Sequence, residues 1–289
     1  MSAGGAAERT HPRLPIGVVL GSIGVDVGWW LESARRLDAA GYAGLWSWDH
    51  FVSRGERTTL VLEAWTTLTA TAMVTERATI GTFVANVMNR HPAVLARMAS
   101  TLQAASGGRL VLGIGIGGNP DEHAAYGIDF PEPAERAARL RESIAVIRAL
   151  WAGGPATLDG EFYRLREAHA HPRPEPVPRI LVGAGTPAGA RLAAAHGDGW
   201  AAESDTFEAL EPRYREALAA AGRDRADQRV VAGFGGSRRR DAPPLAGHPL
   251  LAAPRDEVAR WQAAGADDVL ITARTTADVD ALVAAAERW

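Results

Sequence analysis

The sequence predicts an α/β fold of the (β/α)8 barrel class, because short apolar runs alternate with stretches of helical length along its 289 residues. Most of these runs are continuously apolar, as in parallel strands that are buried on both faces. An open doubly wound sheet is the alternative for the same pattern. Eight runs are predicted as strands: Ile16–Gly21, Ala43–Trp48, Ala78–Ala85, Arg109–Ile116, Arg179–Gly183, Gly199–Ala202, Arg229–Phe234 and Asp267–Thr272.

Helical periods separate these strands, and residues at their ends favour the same register. Asp26 is a predicted cap of the first helix, and Gly41 comes just past its end. Thr276 is the predicted cap of the last helix, and Pro92 suits the first turn of the third. The predicted helices are Val27–Ala40, Leu60–Thr75, Pro92–Ala105, Arg136–Trp151, Pro187–Ala195, Phe207–Ala221, Arg255–Ala264 and Thr276–Arg288.

Three segments lie outside the minimal βα units. Residues 1–14 lack a long apolar stretch and are predicted to be a disordered leader to a single barrel domain over 15–289. An insertion at about 152–178 contains a predicted hairpin, Leu158–Leu165, that turns at Asp159-Gly160 and leads into a proline-rich connector. A turn-rich loop with an arginine run is predicted at about 235–254.

The composition excludes several chemistries. There is no cysteine, and all 31 basic residues are arginine. The chain therefore has no thiol nucleophile, thiolate metal site, Schiff-base lysine or Walker A lysine. A net charge of −3 gives no basic field for nucleic acid or an anionic membrane. No apolar run is long enough to span a bilayer, and we expect a cytoplasmic protein without a metal site.

Functional residues of such a barrel lie at the C-terminal ends of its strands. There the second strand ends in Asp49-His50, the third in Asn86 and the fourth in the glycine-rich segment 115–118. A carboxylate and an imidazole at one strand end can exchange protons near neutral pH. The alternative is a capping aspartate beside a half-exposed histidine. We expect His50 to move a proton, oriented by Asp49 or by a backbone group.

Two glycine-rich segments admit a functional and a structural interpretation. Gly183–Pro187 joins a strand to a helix start, where backbone N–H groups favour an anion such as phosphate, or where a tight turn simply needs glycine. Glycines along 113–118 let a flat group approach the backbone, or serve tight packing. Trp46 and Trp48 share one face of the second strand, and we expect both to pack in the core or against the helix layer rather than form a substrate platform.

Several longer segments together resemble a known family in their order and spacing. They are similar to the bacterial luciferase-like flavin oxidoreductases, most of all to the branch that uses the deazaflavin coenzyme F420. The resemblance covers most of residues 14–205, and the last part of the chain matches in plan only. The segments are Gly44–His50, Ile80–Leu102, Gly107–Ile128, Arg139–Gly153, Gly160–Tyr163 and Pro178–Ala201.

The resemblance implies a barrel fold and a role for residues at the strand ends. The position of Asp49 usually lies by the flavin-like ring system. The position of His50 is a frequent proton donor or acceptor at the reacting ring atom, so both are candidate catalytic residues. The Phe83–Val84 bond falls where many relatives have a non-proline cis peptide behind the ring. Asn86 is implied to hydrogen-bond the ring edge, Gly115, Ile116 and Gly117 to flank the cofactor, and Ala184, Gly185 and Thr186 to hold its phosphate.

The chain departs from one branch of that family. Its sugar-phosphate dehydrogenases carry a glutamate after the fourth strand, where this chain has Gly118, and they use lysine for the substrate phosphate. Neither residue is present here, which argues against that substrate class.

We therefore expect an F420-dependent oxidoreductase that transfers a hydride to or from a small organic substrate. An FMN-dependent monooxygenase that receives reduced flavin from a separate reducing enzyme is the alternative, and a non-catalytic flavin-binding barrel is a second one. The resemblance also implies a homodimer.

Overall fold

The computed structural model describes residues 15–234 and 245–289, and it contains a closed sheet of parallel strands surrounded by helices. The strands are β1 (Ile16–Leu20), β2 (Gly44–Ser47), β3 (Thr79–Thr82), β4 (Ala85–Asn86), β5 (Leu110–Gly115), β6 (Ala156–Asp159), β7 (Arg164–Ala168), β8 (Arg179–Gly183), β9 (Gly199–Glu203), β10 (Arg229–Phe234) and β11 (Asp268–Ala273).

The α-helices lie between these strands, and two of them occupy stretches for which no helix was predicted. They are α1 (Val27–Ala39), α2 (Ala64–Val74), α3 (Pro92–Ala105), α4 (Pro120–Tyr126), α5 (Pro133–Trp151), α6 (Pro187–His196), α7 (Ser204–Ala220), α8 (Pro249–Ala252), α9 (Pro254–Ala263) and α10 (Thr276–Ala286). Of these, α4 and α8 were not predicted, and α5 and α7 each begin three residues before the predicted start.

Pairing of the strands confirms the barrel and excludes the open sheet. The order is β3-β2-β1-β11-β10-β9-β8-β5, and an additional pairing of β3 with β5 closes the ring. Every pairing within this sheet is parallel. The predicted third strand is divided into β3 and β4 by a cis peptide bond between Phe83 and Val84, and β4 continues the pairing with β5.

The barrel interior is filled by one apolar side chain from each of the eight strand positions. The largest of them is Trp46, which is 1% exposed, as predicted for a core residue. Glycines on the neighbouring strands make room for its indole ring, since a Cβ at Gly17 would lie 2.8 Å from its Nε1. The inner residues are Val19, Trp46, Phe83, Val111, Leu181, Ala201, Val231 and Leu270.

Helix caps agree with the predictions at the first helix and differ at the last. Asp26 accepts a hydrogen bond from the backbone of Trp29 at 2.8 Å and caps α1. The cap of α10 is Thr275 rather than the predicted Thr276. Thr275 forms a capping box with Asp278, and its extended backbone leaves the next residue to begin the helix.

The predicted hairpin is present as the antiparallel pair β6 and β7, and its turn is closed by a 3.0 Å hydrogen bond from Gly160 N to the Tyr163 carbonyl. The predicted loop at about 235–254 is only partly a loop. Pro249 and the capping side chain of His248 start α8 there, because Leu250 and Leu251 can be buried. Residues 235–244, with the arginine run, and the predicted leader 1–14 lie outside the described residues.

Across residues 15–234 and 245–289, none of the helices combines the length and the apolar character that a membrane span requires.

Candidate functional site

A cleft with a volume of about 1370 Å³ opens at the C-terminal ends of the barrel strands. This is the end at which the barrel architecture places functional residues. The cleft brings together nearly all of the site residues that the sequence predicted, and Thr186 is the exception. Those that line it are Asp49, His50, Phe83, Val84, Asn86, Gly115, Ile116, Gly117, Ala184 and Gly185.

Asp49 is held in an ion pair at the end of β2. Its buried carboxylate accepts hydrogen bonds from both Nη atoms of Arg90, at 2.6 and 2.9 Å, and from the backbone N–H of Asn86, at 2.9 Å. These donors occupy both carboxylate oxygens. Asp49 thus ties the end of β2 to β4 and to the loop before α3.

His50 is oriented by a residue that the sequence did not single out. Its Nδ1 lies 3.0 Å from Oε2 of Glu122, and its side chain, which lines the cleft, is 33% exposed. The expectation that Asp49 or a backbone group orients His50 is therefore wrong. The physical reason is that the carboxylate of Asp49 is already occupied by Arg90, whereas α4 brings Glu122 to the imidazole.

Glu122 is a carboxylate that is only 1% exposed, and it accepts hydrogen bonds from three different groups. Besides His50, these are the backbone N–H of Phe51 and the side-chain amide of Asn119, the latter at 2.9 Å. Burial on its own raises the pKa of Glu122, but the hydrogen bonds from His50, Phe51 and Asn119 outweigh it and lower the pKa below the ordinary value. Glu122 is therefore ionised at neutral pH.

The next residue of α4, His123, positions Asn86 through a hydrogen bond of its imidazole ring. Its Nδ1 lies 2.8 Å from the carbonyl of Asn119, and its Nε2 lies 2.8 Å from Nδ2 of Asn86. A carbonyl only accepts and an amide NH2 only donates, so Nδ1 carries the proton and Nε2 accepts. The Oδ1 atom of Asn86 also accepts a hydrogen bond from the backbone N–H of Met88 at 3.0 Å. The implied contact of Asn86 with a ring edge stays a prediction.

Helix α4 is thus the element that sequence reasoning missed and that positions two site residues. A signal for it exists in the sequence. Pro120 occupies the first helical turn, Asp121 and Glu122 follow it, and Gly127 ends the helix with a φ of 64°. Proline at the start, acidic residues in the first turn and glycine past the end are typical of a short helix.

Glycines form the floor of the cleft beneath Val84. A Cβ at Gly183 would lie 2.7 Å from the Cγ2 methyl group of Val84, and a Cβ at Gly115 would lie 2.9 Å from the same methyl group. Gly117 has a φ of 73°, and a Cβ there would lie 2.5 Å from Nδ2 of Asn86. In this structure the space left by these glycines is taken by protein side chains that themselves line the cleft.

Arg136 fixes the segment that follows β5. Its buried guanidinium donates to the carbonyls of Ile116 and Gly117 at 2.9 and 2.8 Å, and it stacks 4.0 Å above the ring of Phe130. Burial lowers its pKa, while the nearby Glu132 raises it by less. The cleft wall at Ile116 and Gly117 is therefore held by a cation from α5.

The turn between β8 and α6 contributes Ala184 and Gly185 to the lining of the cleft, next to the end of β5. The N–H of Ala184 donates to the carbonyl of Ala201 at 3.0 Å, which fixes the turn to β9. Thr186 does not line the cleft, since its hydroxyl oxygen caps α6 by accepting the N–H of Gly189 at 3.2 Å. Its O–H remains able to donate a hydrogen bond.

Trp48 and Arg274 form part of the mouth of the cleft. The guanidinium carbon of Arg274 lies 4.8 Å from the indole centroid of Trp48, and both residues line the cleft. The predicted packing is confirmed for Trp46, whereas Trp48 packs against the interior side chains with part of its surface and lines the cleft with the rest. Both indoles point to the barrel axis, but Trp48 lies past the last paired residue of β2 and so reaches the mouth.

Arg54 connects two loops at the same mouth. Its Nη2 donates to the carbonyl of Gly118 at 3.0 Å. Gly118 is exposed, and a Cβ there would have Arg54 Nη2 as its nearest neighbour, 3.8 Å away. Packing therefore does not require glycine at this position.

Comparison with known proteins identifies similar sequences and folds. The model of the family described as luciferase-like monooxygenase matches residues 21–242. An F420-dependent glucose-6-phosphate dehydrogenase of Kineococcus radiotolerans is 39% identical over 204 residues, which are 66% of this chain and 58% of that protein. The chain thus spans little more than half the length of that relative.

Two solved structures have the same fold. An F420-dependent secondary alcohol dehydrogenase, in complex with an F420-acetone adduct, superimposes with a TM-score of 0.79 at 20% identity and covers 95% of this chain and 99% of its own. The coenzyme F420-dependent tetrahydromethanopterin reductase of Methanopyrus kandleri gives 0.75 at 17% identity, covering 95% and 98%.

Proposed function

Because the chain belongs to the luciferase-like monooxygenase family, we propose that it is an oxidoreductase that uses coenzyme F420 to transfer a hydride to or from a small organic substrate. The names of its relatives support the choice of cofactor. The observation that carries the proposal is one cleft that contains both a half-exposed imidazole, His50, and the glycine turn at the start of α6.

The residues of the cleft fit such a cofactor. Its volume accommodates a tricyclic ring with an extended tail, and its floor is glycine and the aliphatic side chain of Val84, which suits a flat apolar ring. The start of α6 offers backbone N–H groups and the Thr186 hydroxyl to a phosphate. Glu203, at the end of β9, and Asp205, in the first turn of α7, also line the cleft. The backbone dipoles at the start of α6, rather than a positive field, would therefore hold the phosphate.

A bound deazaflavin supplies a carrier of hydride that reacts poorly with oxygen. The chain itself has to orient the substrate, exclude water and manage one proton. His50 is the candidate for that proton, because its imidazole lines the cleft and its Nδ1 is already engaged, which leaves Nε2 to donate or accept. Asp49 has a positioning role in this proposal, since Arg90 occupies its carboxylate.

The substrate proposed is not a sugar phosphate. Glucose-6-phosphate dehydrogenase is the name of the relative, and the chain lacks both the glutamate and the lysine that the resemblance implies for that class. Gly118 leaves the cleft open where the glutamate would stand. We expect a small alcohol or carbonyl compound to react and glucose 6-phosphate not to.

The family description favours one other candidate function, an FMN-dependent monooxygenase supplied with reduced flavin by a separate enzyme. The same glycine turn could hold the phosphate of FMN, so the geometry of the cleft does not separate the two cofactors. A non-catalytic flavin-binding barrel is the third possibility, and loss of turnover on replacing His50 would contradict it.

Turnover of the purified full chain with F420 tests the proposal, with isopropanol and glucose 6-phosphate as probes. We expect F420-dependent oxidation of the alcohol only. The variant His50→Ala should lose turnover and keep its affinity for F420. His169→Ala, an exposed histidine of the connector that does not line the cleft, is the matched control and should behave as the wild type. Retained turnover in His50→Ala would contradict the assigned role.

A cytoplasmic homodimer completes the proposal. Met73 of α2 and Val94 of α3 are large apolar side chains that are 69% and 52% exposed. A second copy of the chain would cover such residues. Sedimentation velocity of the purified chain checks this, and a monomer at micromolar concentration would contradict it.

A further inference from the structure

We propose that Glu122 is a positioning residue that fixes the tautomer of His50, so that the Nε2 atom facing the cleft carries the proton exchange. The catalytic part of this inference rests on the proposed function, since it gives His50 a role in turnover. The contact itself does not, because it joins α4 to the end of β2 in the protein alone.

The hydrogen-bond pattern of Glu122 determines which nitrogen of His50 is protonated. Its Oε1 accepts the backbone N–H of Phe51, and its Oε2 accepts the Asn119 amide at 2.9 Å. An ionised carboxylate has acceptors only. The 3.0 Å contact with His50 therefore requires a proton on Nδ1, and in the neutral imidazole the lone pair then lies on Nε2.

Charge and burial favour the same state. Glu122 is 1% exposed, and among the described residues His50 is the one group able to carry a positive charge that contacts its carboxylate. The other buried carboxylate of this region, Asp49, is neutralised by Arg90. Proton uptake at Nε2 would create an imidazolium against the unmatched carboxylate of Glu122, which stabilises that state as in other carboxylate–histidine pairs.

The substitution Glu122→Gln removes this preference with almost no change in volume. A glutamine amide has one acceptor and one NH2 group, whereas all three neighbours of Glu122 are donors. At the position of Oε1 the NH2 group would meet the backbone N–H of Phe51, which cannot reverse, so we expect the NH2 group at the position of Oε2, where it meets His50 and Asn119. His50 is the neighbour that can reverse most readily, since moving its proton to Nε2 turns Nδ1 into an acceptor.

The chain offers two internal controls. Asp121 precedes Glu122 in the first turn of α4 and is exposed, whereas His50 contacts Glu122, so Asp121→Asn removes the same charge from the same helix and leaves that contact in place. His123 follows Glu122 and holds its tautomer through Asn119 and Asn86. An unchanged His123 in Glu122→Gln shows that α4 remains folded.

The test is ¹⁵N NMR of the cofactor-free full chain labelled at histidine, with the His50 and His123 signals assigned from His50→Asn and His123→Asn variants. We expect the Nδ1–H tautomer at His50 in the wild type and in Asp121→Asn, and loss of that preference in Glu122→Gln with His123 unchanged. An Nε2–H tautomer in the wild type, or no change in Glu122→Gln, would overturn the inference.

A kinetic measurement separates positioning from a merely structural role. With F420 and isopropanol, Glu122→Gln should lower kcat by about tenfold to a hundredfold, the usual range for residues that orient a functional histidine, and leave the Kd for F420 unchanged. An unchanged kcat, or equal losses in kcat and affinity, would contradict positioning. If F420 does not bind at all, the proposed function fails, and the NMR result still decides whether Glu122 fixes His50.

Discussion

Both Nη atoms of Arg90 meet the two carboxylate oxygens of Asp49, at 2.6 and 2.9 Å, and this forked ion pair holds the end of β2 against the loop before α3. The side chain of Asp49 is 1% exposed and that of Arg90 is 11% exposed, so water screens the pair little. This ion pair explains why Asp49 and His50, which are adjacent in sequence, have different roles. A carboxylate occupied in this way is a fixed part of the scaffold.

Replacing Asp49 by Asn should therefore affect stability first. Removal of Asp49 leaves the buried Arg90 with only the more exposed carboxylate of Glu63, 3.4 Å away, and we expect the free energy of unfolding to fall by about 3 kcal/mol. Urea denaturation followed by circular dichroism measures this. The control is Glu216→Gln, which breaks the exposed pair Arg213–Glu216, with a change of about 1 kcal/mol or less. Full stability with abolished turnover in Asp49→Asn would make Asp49 a reacting group instead.

Two adjacent glycines of the cleft should respond differently to alanine. Gly117 has a φ of 73° and a Cβ there would lie 2.5 Å from Asn86, so Gly117→Ala should cost about 1–3 kcal/mol of stability and weaken F420 binding. Gly118 lacks both constraints, and Gly118→Ala should stay within about 0.5 kcal/mol of the wild type. Thermal unfolding and a cofactor titration check the pair. Equal effects at the two positions would contradict the described backbone.

Tyr214 is fully buried, and within the described residues its hydroxyl has no hydrogen-bond partner. An unsatisfied buried hydroxyl is unfavourable, so Tyr214→Phe should raise the free energy of unfolding by about 1 kcal/mol. Burial is the main cause that raises the pKa of Tyr214 from 10.0 to about 12. Between these values the unfolded chain loses the phenolic proton and the folded chain keeps it.

The wild type should therefore lose stability relative to Tyr214→Phe as the pH rises from about 10 to about 12. Chemical denaturation at three pH values across that window measures the difference. Tyr126→Phe, at a tyrosine that is 55% exposed, is the control. It should change neither the stability at neutral pH nor the loss of stability between about pH 10 and 12. A Tyr214→Phe protein that is less stable than the wild type at neutral pH would show that the hydroxyl has a partner.

Most of the barrel could be predicted from the sequence, because its strands are local apolar runs and its helices have local caps. Asp26 caps α1 and Pro92 occupies the first turn of α3, and both predictions are confirmed. Trp48 could not be separated from Trp46 in this way. Alternation along a strand fixes the face of a side chain, but not where the barrel ends.

The candidate site was predictable residue by residue and not as a set of contacts. Asp49 and His50 were found from their place after β2, but their partners Arg90 and Glu122 are 41 and 72 residues away in sequence. Only the packed barrel brings such residues together. Glu122 also lies on a seven-residue helix, too short for a hydrophobic period to reveal.

The central claim is that this cleft binds a deazaflavin, and a binding titration of the purified full chain tests it most directly. F420 and FMN are titrated separately, and each is then displaced by the other. We predict saturable binding of F420 at low micromolar concentration or below and much weaker binding of FMN. The variant Gly117→Ala should bind F420 more weakly than the wild type. Submicromolar affinity for FMN with no binding of F420 would contradict the account.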